Sequence, residues 1–355
     1  MSEKIYLAAL HKIGFTHKEF FRIFEKNTNF KDFYNNLSYK VLKQYSISDK
    51  KISKVLDLKN KISLKKIEKT ITNLKISIIL HNEKSYPENL THIFNPPFLF
   101  YLRWNLIWNS ISFIGSRNIS NYWKKVIEFL IPKVWNYFSI ISGWAMWCDS
   151  YSHKIALENN IKTLSVFGTW IDIFYPSSSI KIFEKILKNN WWLISIFPLW
   201  EPWTPYNFPI RNEIVAGLSS WVVVIEAQEK SGSLITAKLA LDLWKDLFSV
   251  PGEIFKLNSV WCNKLIRDWE AKAVLEAEDI LFEYNIKNLK KEEKKIIFNN
   301  KLEEDIYNLL LLESLWIDEI TEKLNISFDD ILLKLSMMEL SQFIKKWNLW
   351  KYEIF

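Results

Sequence analysis

The chain has 355 residues, of which 49% are hydrophobic and 25% are charged, and this composition excludes an intrinsically disordered protein. The length predicts two or three domains, and no apolar run approaches the ~18 residues of a transmembrane helix, so we expect no membrane span. The net charge is +7, and residues 1–75 hold 17 basic and seven acidic side chains. This basic excess is expected of a segment that binds nucleic acid. It is equally expected of a chain that is simply rich in Lys, Ile and Asn, so charge alone does not decide the function.

Residues 1–75 are predicted to form a domain of short helices. Apolar side chains recur there at helical spacing in KEFFRIFEKNTNFKDFYNNL and SDKKISKVLDLKNKI. A connecting segment follows, in which Tyr86-Pro87 and Pro96-Pro97 act as breakers. The N-terminus has no pattern of a secretory signal, so we expect a cytoplasmic protein.

From Ile111 to about residue 278, short apolar runs of strand length alternate with segments of helix length. This alternation predicts an α/β domain, residues 76–280, with a parallel sheet and crossover helices. The six runs are ISFIGSR, FSIISG, KTLSVFG, WLISIFP, WVVVIEA and DLFSVPG.

The remainder of the chain is predicted to contain a linker and a small third domain. KNLKKEEKK is rich in Lys and Glu and indicates a linker over residues 281–300. Residues 301–355 have the pattern of three helices and a β end.

The carboxyl ends of the predicted strands carry small residues, hydroxyls and single Arg or Lys side chains. Ligands of open α/β sheets bind at these ends, where backbone N–H groups and hydroxyls bind anions and Arg binds phosphate through two hydrogen bonds. Several such turns along one edge predict a nucleotide or a nucleic acid backbone as ligand, although each turn alone is equally typical of a tight turn. The predicted phosphate-binding residues are Gly115, Ser116, Arg117, Ser142, Gly143, Asn207, Phe208, Arg211, Asn212, Lys230, Ser231, Gly232, Ser233 and Thr236.

These motifs, in this order, resemble the DNA-processing protein A family, also called DprA or Smf. The resemblance covers roughly residues 77 to 280 and rests above all on NFP-x-RN and KSGSLITA. It implies a Rossmann-like domain that binds single-stranded DNA, forms a homodimer and delivers the DNA to a RecA-type recombinase during natural transformation. It also implies a helical N-terminal domain and a C-terminal winged helix, which the segment DEITEKLNISFDDILLKLSMMELSQFIKK resembles less specifically.

The sequence contains 18 Trp and only 7 Gly, whereas glycine usually makes up about 7% of residues. The family pattern has glycine where this chain has Trp144, Trp147, Trp170, Trp221 and Trp261. Tryptophan is a poor substitute in a tight turn, because its side chain fills the space that a ligand needs. One systematic cause explains all of these positions, namely a codon, such as UGA, that the source reads as glycine. The alternative is a core unusually rich in tryptophan. Further positions that make sense as glycine are Trp123, Trp191, Trp192, Trp200, Trp203 and Trp244.

Three functions remain open at this stage. The first is a DNA-binding and recombinase-loading protein without catalytic activity or cofactor, in which Phe208 stacks on a base or simply belongs to the core. The second is a nucleotide-binding enzyme of the related Rossmann-like phosphoribohydrolase superfamily, but the glutamate of that superfamily's glycine-rich motif is missing, and Asp149 with His153 is more often a structural pair. The third is a transcriptional regulator, for which the C-terminal domain is insufficiently basic, so that a protein contact suits it better.

No metal site is expected from the sequence. The two cysteines, Cys148 and Cys262, exclude a disulfide framework and a cysteine-rich site. The five histidines are scattered along the chain rather than clustered.

Overall fold

The computed structural model divides into two compact units, Met1–Lys287 and Asn288–Phe355. Most of the predicted linker falls outside the described residues, as do Ser116, Arg117 and Lys230 of the predicted site. The structure describes residues 1–26, 29–104, 109–115, 120–134, 137–143, 148–174, 180–189, 191–229, 231–283, 300–341, 343–348 and 351–354.

Six helices occupy the first 75 residues, as the helical spacing predicted. Asn29, Ser38 and Ser63 begin three of them, because each side chain accepts a hydrogen bond from a backbone N–H of the first turn. The helices are α1 (Glu3–Lys12), α2 (His17–Lys26), α3 (Phe30–Asn35), α4 (Tyr39–Gln44), α5 (Asp49–Lys61) and α6 (Leu64–Asn73).

A nine-stranded sheet forms the centre of the first unit, with the strand order β1-β2-β6-β5-β4-β3-β7-β8-β9. All six predicted strands are present and pair in parallel as β3 to β8. The sequence analysis did not predict β1 and β2, which pair antiparallel at one edge, or the two-residue β9. The strands are β1 (Ile76–Leu80), β2 (Leu99–Arg103), β3 (Ser110–Gly115), β4 (Ser139–Ser142), β5 (Thr163–Phe167), β6 (Trp192–Ser195), β7 (Trp221–Glu226), β8 (Asp246–Ser249) and β9 (Lys272–Ala273).

Helices connect the parallel strands and cover the sheet, which explains why its central strands are apolar on both faces. Every residue of β7 is buried, as expected for a strand covered on both sides. The connecting and flanking helices are α7 (Asn121–Val134), α8 (Cys148–Glu158), α9 (Ile180–Lys188), α10 (Asn207–Leu218), α11 (Gly232–Asp242), α12 (Leu257–Arg267) and α13 (Ala277–Phe282), and a short 3-10 helix spans Glu88–Leu90.

The N-terminal helices share a hydrophobic core with the antiparallel edge of the sheet. His11 of α1 lies 3.0 Å from the Tyr101 hydroxyl of β2, and the Tyr101 ring contacts the buried Trp170 at 4.7 Å between centroids. The Lys4 ammonium donates to the Ile78 carbonyl at 2.7 Å. The boundary predicted between residues 75 and 76 therefore separates two parts of one compact unit.

The C-terminal unit contains the three helices and the β end that the sequence predicted. Its core is built from apolar residues of all three helices and of the sheet, including Ile306, Ile320, Leu335 and Tyr352. The three strands pair antiparallel in the order β10-β12-β11. The elements are α14 (Lys301–Leu312), β10 (Leu315–Trp316), α15 (Ile317–Leu324), α16 (Phe328–Leu340), β11 (Ile344–Asn348) and β12 (Lys351–Ile354). The winged-helix assignment itself stays a prediction.

Within the described ranges, no helix combines the length and the apolar character needed to cross a membrane.

Candidate nucleic-acid interface

The topological switch point of the sheet lies between β3 and β7. From β3 the chain proceeds to β4, β5 and β6 on one side and returns to β7 on the other. Gly115 ends β3 and lies opposite Glu226, which ends β7. Ligands of open α/β sheets bind in the crevice at such a point. In the sequence, Ser116 and Arg117 directly follow β3 and Lys230 follows β7, and all three lie outside the described residues.

Glu226 connects the end of β7 to the start of α7. The Ser120 hydroxyl donates to Glu226 Oε1 at 2.5 Å and accepts from the Trp123 backbone N–H at 3.1 Å. Asn258 donates weakly to the other carboxylate oxygen at 3.4 Å. Glu226 is buried, and these hydrogen bonds satisfy its carboxylate. The residues on either side of 116–119 are thus fixed against β7, Gly115 by strand pairing and Ser120 by its hydroxyl.

The start of α11 is a second candidate anion-binding element. Gly232 is exposed at the first position of α11, after Ser231, and the N-terminal turn of a helix presents backbone N–H groups that suit an anion. The Ser231 and Ser233 hydroxyls are 2.6 Å apart, and Thr236 donates to the Gly232 carbonyl at 3.4 Å. Since Ser233 and Thr236 are buried, they support this turn, while Ser231 and Gly232 remain accessible.

The end of β4 rests on a buried arginine. A Cβ atom at Gly143 would lie 2.1 Å from Arg211 Nη1, so only glycine lets the guanidinium pack against this strand end. Arg211 Nη1 donates to the Val166 carbonyl of β5 at 3.2 Å. The Ser142 hydroxyl is buried, and no hydrogen-bond partner for it occurs among the described residues.

The predicted residues of the NFP-x-RN motif occupy the first two turns of α10, in the connection that follows β6. The assignment of Asn207, Phe208, Arg211 and Asn212 as phosphate-binding residues stays a prediction. Asn207 donates to the carbonyl of Gly168 at 2.8 Å, and Asn212 accepts from Arg211 Nε at 3.0 Å.

Burial decides what the arginine of this motif can do. Arg211 is 2% exposed, and its guanidinium contacts the ends of β4 and β5. The partly exposed ring of Phe208 lies 5.4 Å from the guanidinium carbon. Whether Arg211 contacts phosphate stays a prediction. In the structure, the Arg211 guanidinium is buried against the ends of β4 and β5.

The Asp149 and His153 pair has the geometry of a structural element. His153 is fully buried between the Thr163 hydroxyl at 2.6 Å and the Gly143 carbonyl at 3.4 Å. Burial lowers the pKa of His153 to about 3, so the ring is neutral at pH 7 and cannot act there as an acid. Burial also lowers the pKa of Arg211, and Asp149 opposes this shift. In the part of the chain that the structure describes, no three side chains are grouped as metal ligands.

Sequence reasoning missed Ser120 and the role of Glu226. Both had a signal: Ser120 stands at the N-terminal cap position of a helical segment, and Glu226 is the one charged residue at the end of a fully apolar strand. Neither signal predicts that the two residues meet, because 106 positions separate them.

Comparison with known proteins gives a consistent assignment. The model of the family "DNA recombination-mediator protein A" matches residues 77–285. The DNA processing protein DprA of Streptococcus pneumoniae is 36% identical over 202 residues, which are 56% of this chain and 71% of that protein. The X-ray structure of DprA from Streptococcus pneumoniae superposes with a TM-score of 0.67 and 28% identity over 80% of this chain and 99% of that chain. A structure of DprA from Helicobacter pylori, which concerns that protein's single-stranded DNA binding mode, has a TM-score of 0.53 and 22% identity. The match covers 60% of this chain and 97% of that chain, and it supports the fold alone.

Proposed function

Since this chain belongs to the DNA recombination-mediator protein A family, we propose that it binds single-stranded DNA in the crevice at the switch point of its sheet. The observation that carries the proposal is that β3 and β7 end side by side at the switch point, where Gly115 lies opposite Glu226, and that α11 begins at Gly232 directly after β7. In the sequence, Arg117 follows β3 and Lys230 precedes α11. Backbone N–H groups and two cations suit the phosphates of a flexible strand.

Further parts of the proposal follow from the family. The protein delivers the bound strand to a RecA-type recombinase in the cytoplasm during natural transformation, and it does so as a homodimer. It carries out no reaction of its own. Light scattering of the full chain at micromolar concentration tests the dimer, and a monomer would contradict it.

Fluorescence anisotropy with labelled oligo-dT tests DNA binding, with a duplex of the same length for comparison. We expect preference for the single strand and a log–log salt slope of roughly −0.7 for each phosphate contact. Arg117→Ala and Lys230→Ala should each weaken binding by about 1.5–3 kcal/mol and reduce the slope by about one contact. The matched control is Lys61→Ala, which removes the same charge from α5. If Lys61→Ala weakens binding as much, the DNA binds to the helical segment instead.

We also propose that the tryptophans are glycines in the natural product. The structure supports this through backbone conformation, because four tryptophans have positive φ: Trp104 (70°), Trp200 (57°), Trp244 (56°) and Trp269 (60°). Positive φ disfavours residues that have a Cβ atom, and glycine is the usual occupant.

Two of these tryptophans end helices in the place where glycine is usual. Trp244 donates to Leu241 while Lys245 donates to Ala240, which is the double hydrogen bond of a Schellman motif after α11. Trp269 occupies the same position after α12. The chain's own Gly14 makes the corresponding pair of bonds after α1. The codons test the proposal: UGA at all 18 positions is expected, and UGG at Trp244 and Trp269 would refute it.

A further inference from the structure

The C-terminal unit contains a helix-turn-helix. Residues 325–327 join α15 to α16, and Asn325 takes the left-handed conformation with φ 52°. Three residues is the usual length of this turn, and α16 has the position of the helix that enters the major groove in DNA-binding proteins. Its exposed face therefore decides whether this unit binds DNA.

The exposed face of α16 is an apolar stripe. Leu333, Met337 and Leu340 are 57%, 48% and 86% exposed. Their spacing of four and three residues aligns them on one side of the helix over about 10 Å. The opposite face, with Ile331 and Leu335, is buried in the core of the unit. The stripe is thus a second apolar face that the fold of the unit does not use.

Negative charge flanks the N-terminal end of this stripe. Asp329 and Asp330 lie exposed in the first turn of α16, and Glu339 is exposed near its end. Lys334, the one basic residue of α16, points towards α14, where its ammonium lies 3.2 Å from Glu303. Residues 300–355 hold eleven acidic and six basic side chains, a net charge of −5.

A second acidic feature, a groove, lies on the other side of α16. Asp318 and Glu322 of α15 line it together with Ile326 and Phe328. Because Phe328 shares the helix side of Ile331 and Leu335, the groove is separate from the stripe. A partner that covers the stripe needs apolar side chains flanked by cations that face Asp329 and Asp330.

This chemistry selects among the candidate partners. Duplex DNA requires Lys or Arg near its phosphates, and the first turn of α16 would instead bring two carboxylates to them. A second copy of the same face would place acidic groups against acidic groups. We propose that the exposed face of α16, with Asp329 and Asp330 beside its apolar stripe, is a docking surface for an amphipathic helix of a partner protein whose apolar side is flanked by Lys or Arg. Helix-in-groove recognition reads apolar residues at this spacing.

Anisotropy measurements on the full chain test the surface without single-stranded DNA, so the result is independent of the function proposed above. The probe is a fluorescein-labelled peptide of about 14 residues with Leu on one helical side and Lys on the other. A peptide with Glu in place of Lys and a duplex of about 20 base pairs are the comparison probes. The test variant is Leu333→Ser with Met337→Ser, and the matched control is Leu311→Ser, another exposed leucine of the same unit, on α14.

The Lys peptide should bind the unaltered chain and the Leu311→Ser control with equal affinity. The double variant should bind it at least about tenfold more weakly, and Asp329→Asn should weaken it and reduce its salt dependence. Circular dichroism melting verifies that the variants fold. The proposal is overturned if the Lys peptide does not bind, if the Glu peptide binds equally well, if the double variant keeps its affinity, or if the duplex binds and loses affinity in the double variant.

Discussion

Replacing Trp244 and Trp269 by glycine should stabilise the protein, although removal of tryptophan usually destabilises. The two side chains are 96% and 94% exposed, so almost no apolar burial is lost. Each residue is held at positive φ, where a Cβ atom costs about 1–2 kcal/mol. Glycine removes this strain but loses more backbone entropy on folding, which offsets part of the gain. We therefore expect each replacement to raise the free energy of unfolding by about 1 kcal/mol, and the double replacement by about 2.

Urea unfolding followed by circular dichroism at 222 nm measures the effect, because the substitutions themselves change tryptophan fluorescence. The control is Trp244→Ala, which removes the indole but keeps a Cβ at the same φ, and it should leave the stability within about 0.5 kcal/mol. A destabilised Trp244→Gly, or an alanine variant as stable as the glycine variant, would refute the assignment of these two helix ends as glycine positions.

Three other substitutions or conditions give independent tests. Gly143→Ala should lower the free energy of unfolding by about 1.5–3 kcal/mol, because the guanidinium of Arg211 must leave its carbonyl partner. The control is Gly168→Ala, which has space for a methyl group and should change this free energy little; urea titration measures both variants. Ser120→Ala should weaken oligo-dT binding, and Ser120→Thr should retain it, because only a hydroxyl bonds to the buried Glu226 carboxylate; equal anisotropy curves for the two would refute this role. Burial lowers the pKa of His17 to about 4, so the unfolded chain binds more protons below pH 6.5, and this histidine alone should lower stability by about 2 kcal/mol between pH 7 and pH 5. Burial lowers the pKa of His11 and His153 as well, so His17→Gln should make the fall in the pH profile of urea unfolding shallower by about that amount without abolishing it.

The parallel part of the sheet could be predicted because its strands are buried on both faces. Runs such as VVVIEA in β7 need no cross-strand partner to be recognised. The strands β1 and β2 escaped prediction because they stand on either side of the proline breakers, in a segment without a helix-length crossover. Their place in the sheet depends on backbone pairing with a distant strand, such as that of Tyr101 in β2 with Ser195 in β6.

The site could be predicted as a list of turns but not as an arrangement. The sequence placed Arg211 at a strand end because it follows the fourth apolar run, whereas tertiary contacts extend α10 to include it and bury its guanidinium under Gly143. The bond between Ser120 and Glu226 depends on strand order, which no local pattern encodes. The helical segment was predicted well because its helices carry apolar residues at helical spacing, and three of them begin at a capping side chain.

The pairing of β3 with β7 also determines how late in synthesis the sheet can be completed. Gly115 and Glu226 are 111 positions apart, so a ribosome adding about 5–20 residues per second exposes β3 for roughly 5–20 s before its neighbour exists. During that interval β3 can pair with β4, but its other edge stays open, and such long-range pairing is slow to form. The crevice that we propose as the DNA site lies at this same pairing, so a nascent chain that lacks β7 should not bind DNA there, and binding should report that β3 and β7 have paired.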